Sequence, residues 1–224
     1  MRHILIACFL LLSACGGTSS GTQPQPTSPI DIATARPIVI SGKGNQTVSV
    51  NKWNGFAAIR ITATGAGKFS VQKFDTSILD GSFTFVERVG DYSGTVWLDL
   101  LDRARTTRLD VKSSGTWELV ILPPKDIGYM LVCSDCNSEY QGQGDDVVLI
   151  IPKTGQFVGD LPMRIDAPEM PFVSAWTNNP VKSNTLMGPK TGPSSSTVIL
   201  PNNTLFLTVK ANGPWKATIT AKPK

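Results

Sequence analysis

Two stretches of this sequence repeat one pattern and decide how the chain is organised. Residues 111–121 read "VKSSGTWELVI" and residues 209–219 read "VKANGPWKATI", so Val, Lys, Gly, Trp and Ile return at the same places. In each stretch a Val-Lys end is followed by a turn that contains Gly, and Trp then starts a new segment. Glycine readily adopts the positive φ that tight hairpin turns require. The pattern therefore predicts a β-hairpin that occurs twice in one chain.

The register of these hairpins indicates which side chains are buried. Successive side chains of a strand point to opposite faces, so Trp117 shares a face with Leu119 and Ile121. The second copy has the same register from Trp215 onward. A Trp at this place either closes the gap between two packed sheets or stacks on a sugar at the surface. The shared apolar register favours the core for both Trp side chains.

The repeat extends over most of the chain. "SGKGNQTVSV" at 41–50 is matched by "QGQGDDVVLI" at 141–150, and "YSGTVWLDL" at 92–100 by "SSSTVILPN" at 195–203. Apolar and polar residues alternate, turn residues interrupt at short intervals, and no helical period is sustained, which is typical of an all-β sandwich or barrel. We predict an all-β fold with two tandem antiparallel β-sandwich domains at 39–124 and 139–224, separated by a segment at 125–138 that contains a Cys pair.

The first residues predict where the protein is kept. "MRHILIACFLLLSAC" has a basic start and a short apolar run, and it ends in Leu-Ser-Ala-Cys, the box at which bacterial lipoproteins are cleaved and lipidated. We therefore predict a lipoprotein signal peptide at 1–14 and a lipid anchor, including an acyl chain such as palmitate, on Cys15. Residues 15–38 are rich in Gly, Ser, Thr, Gln and Pro and predict a disordered tether. The expected location is the bacterial cell envelope, membrane-anchored and extracytoplasmic.

The composition of the chain excludes several classes of function. The net charge is +4, and the basic residues are scattered rather than gathered into the stripe that nucleic-acid binding requires. The single His, His3, lies in the segment predicted to be removed. A mature chain without imidazole excludes Ser-His-Asp and Cys-His catalysis and His-ligated zinc. We predict no nucleic-acid partner, no cofactor and no metal ligand set, although a calcium ion bound in a loop and an enzyme that uses two carboxylates stay open.

The Cys pair between the two predicted domains has three interpretations. Cys133 and Cys136 form a C-x-x-C motif, which is half of a zinc site, a redox-active pair or a small structural disulfide. The mature chain offers no second ligand pair, and the α/β setting of redox motifs is missing. An oxidising envelope favours the disulfide.

Aromatic residues are the only candidate ligand contacts. Trp97 lies between Val96 and Leu98 on a predicted strand. Because these two neighbours are expected to face the core, Trp97 is expected on the outer face. Tyr92 belongs to a Gly-x-Tyr-x-Gly turn that the second copy lacks, and Trp176 is a third candidate. Exposed aromatics of this kind stack on sugars or dock a protein, and the alternative is burial against the other domain.

The order of these motifs resembles a module of secreted and lipid-anchored bacterial proteins. The phrases F-x-V, G-x-Y-x-G and L-x-V-x-x-x-G-x-W-x-I fall on these residues of the first copy: Phe69, Val71, Gly90, Tyr92, Gly94, Leu109, Val111, Gly115, Trp117 and Leu119. The second copy keeps the last phrase, at Leu207, Val209, Gly213 and Trp215, but lacks the G-x-Y-x-G phrase. The resemblance implies β-sandwich modules without a general enzymatic role, and it transfers no catalytic residue.

Together these observations predict a non-enzymatic, lipid-anchored envelope protein. Its expected role is to bind or display, with a glycan, a cell-wall polymer or a protein as partner and the membrane as anchor point. The alternative is a structural accessory subunit whose outer faces other subunits cover.

Overall fold

The computed structural model describes residues 33–75, 82–100, 104–133, 136–153, 160–178 and 181–220. Within these ranges the chain forms seventeen β-strands and one short 3-10 helix, Pro124–Asp126. All strand neighbours pair antiparallel except one. The predicted all-β antiparallel fold class is therefore confirmed. The predicted signal peptide, Cys15 and most of the predicted tether lie outside the described residues.

The first eight strands make up what we call the first half. Their bounds are Ile38–Lys43 (β1), Gln46–Ser49 (β2), Ala57–Ala63 (β3), Lys68–Asp75 (β4), Ser82–Val89 (β5), Tyr92–Asp99 (β6), Thr106–Lys112 (β7) and Thr116–Leu122 (β8). They form two sheets, ordered β1-β8-β3-β6 and β2-β7-β4-β5. We call these the β8 sheet and the β7 sheet.

The remaining strands make up the second half. Their bounds are Tyr129–Val132 (β9), Ser138–Gln143 (β10), Asp146–Pro152 (β11), Leu161–Ala167 (β12), Phe172–Asn178 (β13), Val181–Met187 (β14), Ser194–Leu200 (β15), Thr204–Lys210 (β16) and Pro214–Ile219 (β17). They form the β17 sheet, ordered β10-β17-β12-β15, and the β16 sheet, ordered β14-β13-β16-β11-β9. Strand β9 is the added one, and it pairs parallel with β11.

The two halves have the same strand order once β9 is set aside. Strands β1 to β8 correspond in sequence to β10 to β17, and each sheet of the first half has a counterpart with matching neighbours. Registers agree as well: Ile59 pairs with Ile121 in the first half, and Met163 pairs with Ile219 in the second. Matching ladders allow residues of the two halves to be compared position by position.

Each half has its own hydrophobic core between its two sheets. Trp117 and Trp215 are each 3% exposed and lie in these cores, as their register predicted. Each indole lies against a glycine of the neighbouring edge strand, Gly42 or Gly142, where a Cβ would come within 2.3 Å of the ring. The indole nitrogen of Trp117 donates to the carbonyl of Gly44 at 2.9 Å, and Trp215 repeats this bond in the second half. This close contact explains why a glycine, Gly42 or Gly142, is paired with the Trp on the neighbouring strand in each half.

The ordered part begins earlier than the sequence predicted. Ala35 was expected in the disordered tether, but it is 1% exposed and packs in the first core. Strands β1 and β10 start at Ile38 and Ser138, each one residue before the predicted domain boundary. The misplaced boundary arises because a small apolar residue after a polar, Pro-rich stretch gives no periodic signal.

A third apolar cluster, which we call the junction, joins the halves. Its buried members are Ala58, Leu122, Ile127, Val147 and Phe206, and its partly buried members are Phe56, Trp97, Leu100, Val120, Leu149 and Trp176. The cluster lies between the outer face of the β8 sheet and the outer face of the β16 sheet. A sheet face that would be solvated in one isolated half is thereby covered by the other.

Candidate functional site

Two of the predicted binding aromatics, Trp97 and Trp176, meet in the junction. Their ring centroids are 5.8 Å apart in an edge-on arrangement. Trp97 also stacks on Phe83 at 5.7 Å, and Trp176 stacks on Phe206 at 5.7 Å. Phe206 continues the contacts to Phe56 at 5.1 Å. These rings contact one another across the two halves, so Trp97 lies away from the core of its own sandwich yet is only partly exposed.

Matched positions of the two halves explain why the junction forms where it does. The ladder position of Trp97 holds Ile199 in the second half, because Ala58 pairs with Trp97 as Pro162 pairs with Ile199. Ile199 is 54% exposed. The face of the β8 sheet that forms the junction therefore carries Trp97. The matching face of the β17 sheet is exposed and carries the smaller Ile199.

The other meeting face shows the same contrast. Phe206 pairs with Trp176 in the second half, and at the matched positions of the first half Arg108 pairs with Phe74. Arg108 lies over the Phe74 ring at 3.6 Å and is half-exposed. Large apolar residues thus occur on the two sheet faces that form the junction. On the face of the first half that matches the β16 sheet, Arg108 covers Phe74 instead.

Tyr92, the third predicted aromatic, is 8% exposed and lies beside the junction. Its hydroxyl donates a hydrogen bond of 3.0 Å to Oδ2 of Asp145 in the second half. Burial raises the pKa of Tyr92, and the nearby charge of Asp145 raises it further. The phenol therefore stays protonated and acts as a hydrogen-bond donor between the halves.

The Cys pair lies at the end of β9. Cys133 and Cys136 form a disulfide with their Cα atoms 5.4 Å apart. The disulfide interpretation of the C-x-x-C motif is therefore supported. Next to it, the Ser138 hydroxyl donates to the Leu131 carbonyl, which ties the start of β10 to β9.

A broad groove with both polar and apolar lining residues lies on the outer face of the β17 sheet. It has a volume of about 1020 Å³. We call it the second-half groove. Its lining residues are Gln141, Gly142, Gln143, Asp166, Ala167, Pro168, Pro193, Ser194, Ser195, Pro214, Trp215 and Lys216.

Charged side chains of the groove and its edge are held by one another. Arg164 donates to both oxygens of Asp166 at 2.9 and 3.0 Å. A hydrogen bond from Ser195, with the Arg164 bond and charge, holds the pKa of Asp166 below its ordinary value. Glu139 accepts a hydrogen bond of 2.8 Å from Gln141, and bonds from Lys216 and Gln141 lower the pKa of Glu139 as well. The acids beside the groove are therefore ionised and fixed in direction.

The first half has a matching depression, which we call the first-half groove. It differs from the second-half groove in two of its lining residues. It is smaller, about 560 Å³, and Thr64 and Thr116 line it. Their hydroxyl oxygens are hydrogen-bonded to each other at 2.8 Å. The ladders put Pro168 and Pro214 at these two positions in the second half. Proline has no hydroxyl, so the bond that ties the two strands together across the first-half groove has no counterpart in the second.

Sequence reasoning missed the second-half groove. Its polar members point outward from strands, where polar residues are ordinary, and only the comparison of the two copies distinguishes them. The signal in the sequence was the replacement of two Thr residues by Pro168 and Pro214 at matched places in the repeat.

In the part of the chain that the structure describes, no three His, Cys, Asp or Glu side chains are grouped so that they could hold a metal ion. None of the described helices has the length and apolarity needed to cross a membrane.

Comparison with known proteins gives likenesses of fold only. No family model and no curated protein matches the chain. Among solved structures, HutD from Pseudomonas fluorescens SBW25 is 10% identical over 84% of this chain and 79% of its own, with a TM-score of 0.23. The PBSX exported protein XepA is 7% identical over 86% and 88%, with a TM-score of 0.27. A protein described with the triple jelly roll fold of an archaeal virus turret is 13% identical over 84% and 60%, with a TM-score of 0.24. Likenesses at this level say nothing about what the chain binds.

Proposed function

We propose that this chain is a lipid-anchored, non-catalytic binding protein of the bacterial cell envelope, and that its second-half groove takes a glycan. The observation that carries the proposal is the groove itself, which presents amide, carboxylate, hydroxyl and ammonium groups on one rigid sheet face. Rigid strands hold such groups more precisely than loops do.

The chemistry of the groove fits a chain of sugars. Gln141, Gln143 and Ser195 offer both donors and acceptors, which is what ring hydroxyls require. Asp166 and Lys216 add charged partners, whose hydrogen bonds are stronger than neutral ones. Pro168 and Pro214 supply flat apolar surface for the C–H faces of the sugar rings. Small-molecule sites combine apolar walls and a few polar groups in this way.

The two halves have different roles in this proposal. We propose that the two halves are duplicated β-sandwich domains, that the first carries the anchor and that the second carries the site. The first-half groove has its Thr64–Thr116 bond across it and lacks the proline pair. Trp97 and Trp176, the candidates from the sequence, then serve to fix the two domains together.

The anchor is proposed at Cys15, after cleavage of residues 1–14. Cys15→Ala should release the protein from the membrane fraction, because removal of the acyl chains removes roughly 0.8 kcal/mol of membrane affinity for each buried CH₂ group. The measurement is the distribution of the protein between membrane and supernatant after a salt wash. A Cys15→Ala variant that stays membrane-bound would refute the anchor, and Cys15→Ser provides a second check.

The glycan site is tested by binding of the mature chain to purified cell-wall polysaccharide. Asp166→Ala and Lys216→Ala should each weaken binding about tenfold, since a hydrogen bond to a charged group contributes about 1.5–3 kcal/mol. Thr62→Ala and Glu118→Ala at the matched first-half positions are the controls and should leave binding unchanged. Equal binding by all four variants would reject the groove as the site.

A second candidate function is that of an accessory subunit of an envelope assembly. It is favoured by apolar side chains on and beside the β9 edge, where Tyr129 is 55% exposed and Leu131 and Ile151 lie beside it. Exposed apolar edge strands are ready sites for pairing with another chain. Leu131→Lys should then abolish co-purification of a fixed partner after gentle detergent extraction, while Val89→Lys should not.

A further inference from the structure

A fully buried lysine–aspartate ion pair lies in the first half. Lys52 and Asp99 are both 0% exposed, and Nζ of Lys52 lies 2.8 Å from Oδ2 of Asp99. Lys52 precedes β3 and Asp99 ends β6, so the contact joins β6 to the segment before β3. Burying an ion pair is costly, and it contributes little to stability compared with apolar residues of the same volume.

The amino group of Lys52 is held in one orientation. It donates to the carbonyl of Trp53 at 2.7 Å and to the carbonyl of Gly55 at 3.1 Å. An ammonium group has three N–H bonds. Nζ of Lys52 also lies within hydrogen-bond distance of Oδ2 of Asp99.

The carboxylate of Asp99 is held as firmly. Its Oδ1 accepts from the Thr106 hydroxyl at 2.8 Å and from Nζ of Lys73 at 3.3 Å, and its Oδ2 accepts from the Thr106 amide at 3.0 Å. Donors fixed on a carbonyl oxygen stabilise the negative charge that develops when its carbon is attacked. Lys73 is itself fixed by a bond of 2.9 Å to the Leu98 carbonyl.

We propose that Lys52 and Asp99 form an intramolecular amide bond that cross-links β6 to the segment before β3. The ammonium of Lys52 first transfers a proton to Oδ2 of the carboxylate. The freed lone pair of Nζ then attacks Cγ, and Oδ1 takes the negative charge under the hydrogen bonds of Thr106 and Lys73.

The rest of the reaction balances without any added reagent. The nitrogen loses a second proton to Oδ2, the bond from Cγ to Oδ2 breaks, and Oδ2 leaves as water. One ammonium and one carboxylate become one neutral amide and one water molecule, and Oδ1 remains as the amide oxygen.

Two physical reasons favour the amide here. The reaction removes two charges from a dry interior, and the water that is formed leaves that interior. Groups held in reactive contact behave as if at effective concentrations of about 10⁵–10⁸ M, which offsets the slowness of amide formation in solution. Attack requires the neutral amine, which the proton transfer from Lys52 to Asp99 supplies.

The second half has apolar residues at the places of Lys73 and Asp99. Lys73 pairs with Leu109 as Ala175 pairs with Leu207, and Asp99 pairs with Ala57 as Leu200 pairs with Leu161. The matched positions are therefore apolar in the second half. Lys73 and Asp99 are thus charged groups that only the first core contains, which directs the search for their role to that half.

The test is the intact mass of the exported, folded chain, measured under denaturing and reducing conditions. We expect a mass lower by one water than the sequence and its known modifications give. A tryptic digest should contain one branched species joining residues 44–60 to residues 89–103, because cleavage after Lys52 is blocked. An unshifted mass with separate peptides would overturn the proposal, and a branch through Lys73 would overturn the assignment of Lys52.

Variants separate the nucleophile from its surroundings. Lys52→Arg keeps a cation at the site and removes the amine, so the mass of this variant should equal the sequence mass. Lys73→Met keeps the amine but removes one donor from Oδ1, so the cross-link should form more slowly in freshly refolded protein. If Lys52→Arg does not fold, the wild-type mass and branched peptide still decide the question, because they require no variant.

Discussion

The phenol of Tyr92 and the carboxylate of Asp145 form a hydrogen bond of 3.0 Å that ties the first half to the second. Asp145 makes further contacts on both sides. Its carbonyl accepts from the amide of Thr95 in the first half at 2.7 Å, and its Oδ1 accepts from the amide of Ala211 in its own half at 3.0 Å. Arg88 of the first half lies 3.8 Å from Oδ2. One residue of the β10–β11 turn thus fixes how the two sandwiches are joined.

Removal of this bond should weaken the joined structure. Tyr92→Phe keeps the ring, which stacks on Phe69 at 6.1 Å, and removes only the donor to Asp145. A buried carboxylate that loses a donor costs about 1–3 kcal/mol. Urea unfolding should therefore show a lower midpoint for Tyr92→Phe. Tyr129→Phe, which alters an exposed phenol, should change the midpoint hardly at all, and equal effects of the two variants would contradict the role of Asp145.

Trp97 should act through stability rather than through ligand binding. Trp97→Ala removes a ring that contacts Phe83, Lys73 and Trp176, and a substitution of this kind in a packed cluster costs about 3 kcal/mol. Ile199→Ala at the matched exposed position should cost about 0.5 kcal/mol or less. Thermal unfolding compares the two. A Trp97→Ala variant that unfolds like the wild type but loses glycan binding would restore Trp97 as a ligand contact.

Asp146 should make the protein less stable as pH rises. Burial raises the pKa of Asp146 above its ordinary value, against the hydrogen bonds from Tyr140 and Val147 and the charge of Arg60. A raised folded-state pKa means that the stabilising contribution is complete below the unfolded pKa and is lost as pH rises through the folded one. Asp146→Asn should therefore gain stability relative to wild type as pH rises above the unfolded-state pKa of about 4.

The pKa of Asp166 is shifted in the direction opposite to that of Asp146, so the stability of its variant should depend on pH in the opposite way. The pKa of Asp166 is lowered, so its contribution is present above the unfolded pKa and is lost as pH falls. Relative to wild type, Asp166→Asn should lose stability with rising pH where Asp146→Asn gains it. Denaturant unfolding at several pH values measures both slopes, and slopes of the same sign would contradict the account.

The disulfide should contribute modestly. A loop closed by Cys133 and Cys136 is short, and the chain-entropy estimate for it is about 2 kcal/mol. Replacing both Cys by Ala should lower the unfolding midpoint by a corresponding amount and leave glycan binding intact. Zinc uptake by the reduced chain, or a dimer that depends on zinc, would instead support the metal interpretation of the motif.

The fold was largely predictable from sequence, because alternation and turn residues are local signals. The inward register of Trp117 and Trp215 followed from strand period alone. These properties depend on nearest neighbours along the chain and not on how sheets meet.

The candidate site was not predictable in the same way. Trp97 was expected on an outer face, and it lies there, but no local pattern says that Phe206 and Trp176 cover that face. Contacts between the halves depend on which of two similar faces meet, and this is decided by side chains far apart in sequence. The pairing of Tyr92 with Asp145 was missed for the same reason.

The central claim, that the second-half groove binds a glycan and the first-half groove does not, is tested most directly by making one groove resemble the other. Pro168→Thr with Pro214→Thr places the Thr64 and Thr116 residue types in the second half, so that their hydroxyls can bond between the strands. The control is Pro162→Thr, which lies on β12, the strand that Pro168 directly follows, but outside the groove. The measurement is equilibrium binding to purified cell-wall polysaccharide, with unfolding midpoints recorded alongside. We predict that the double variant loses at least tenfold in affinity while the control does not, and unchanged binding by a folded double variant would contradict the claim.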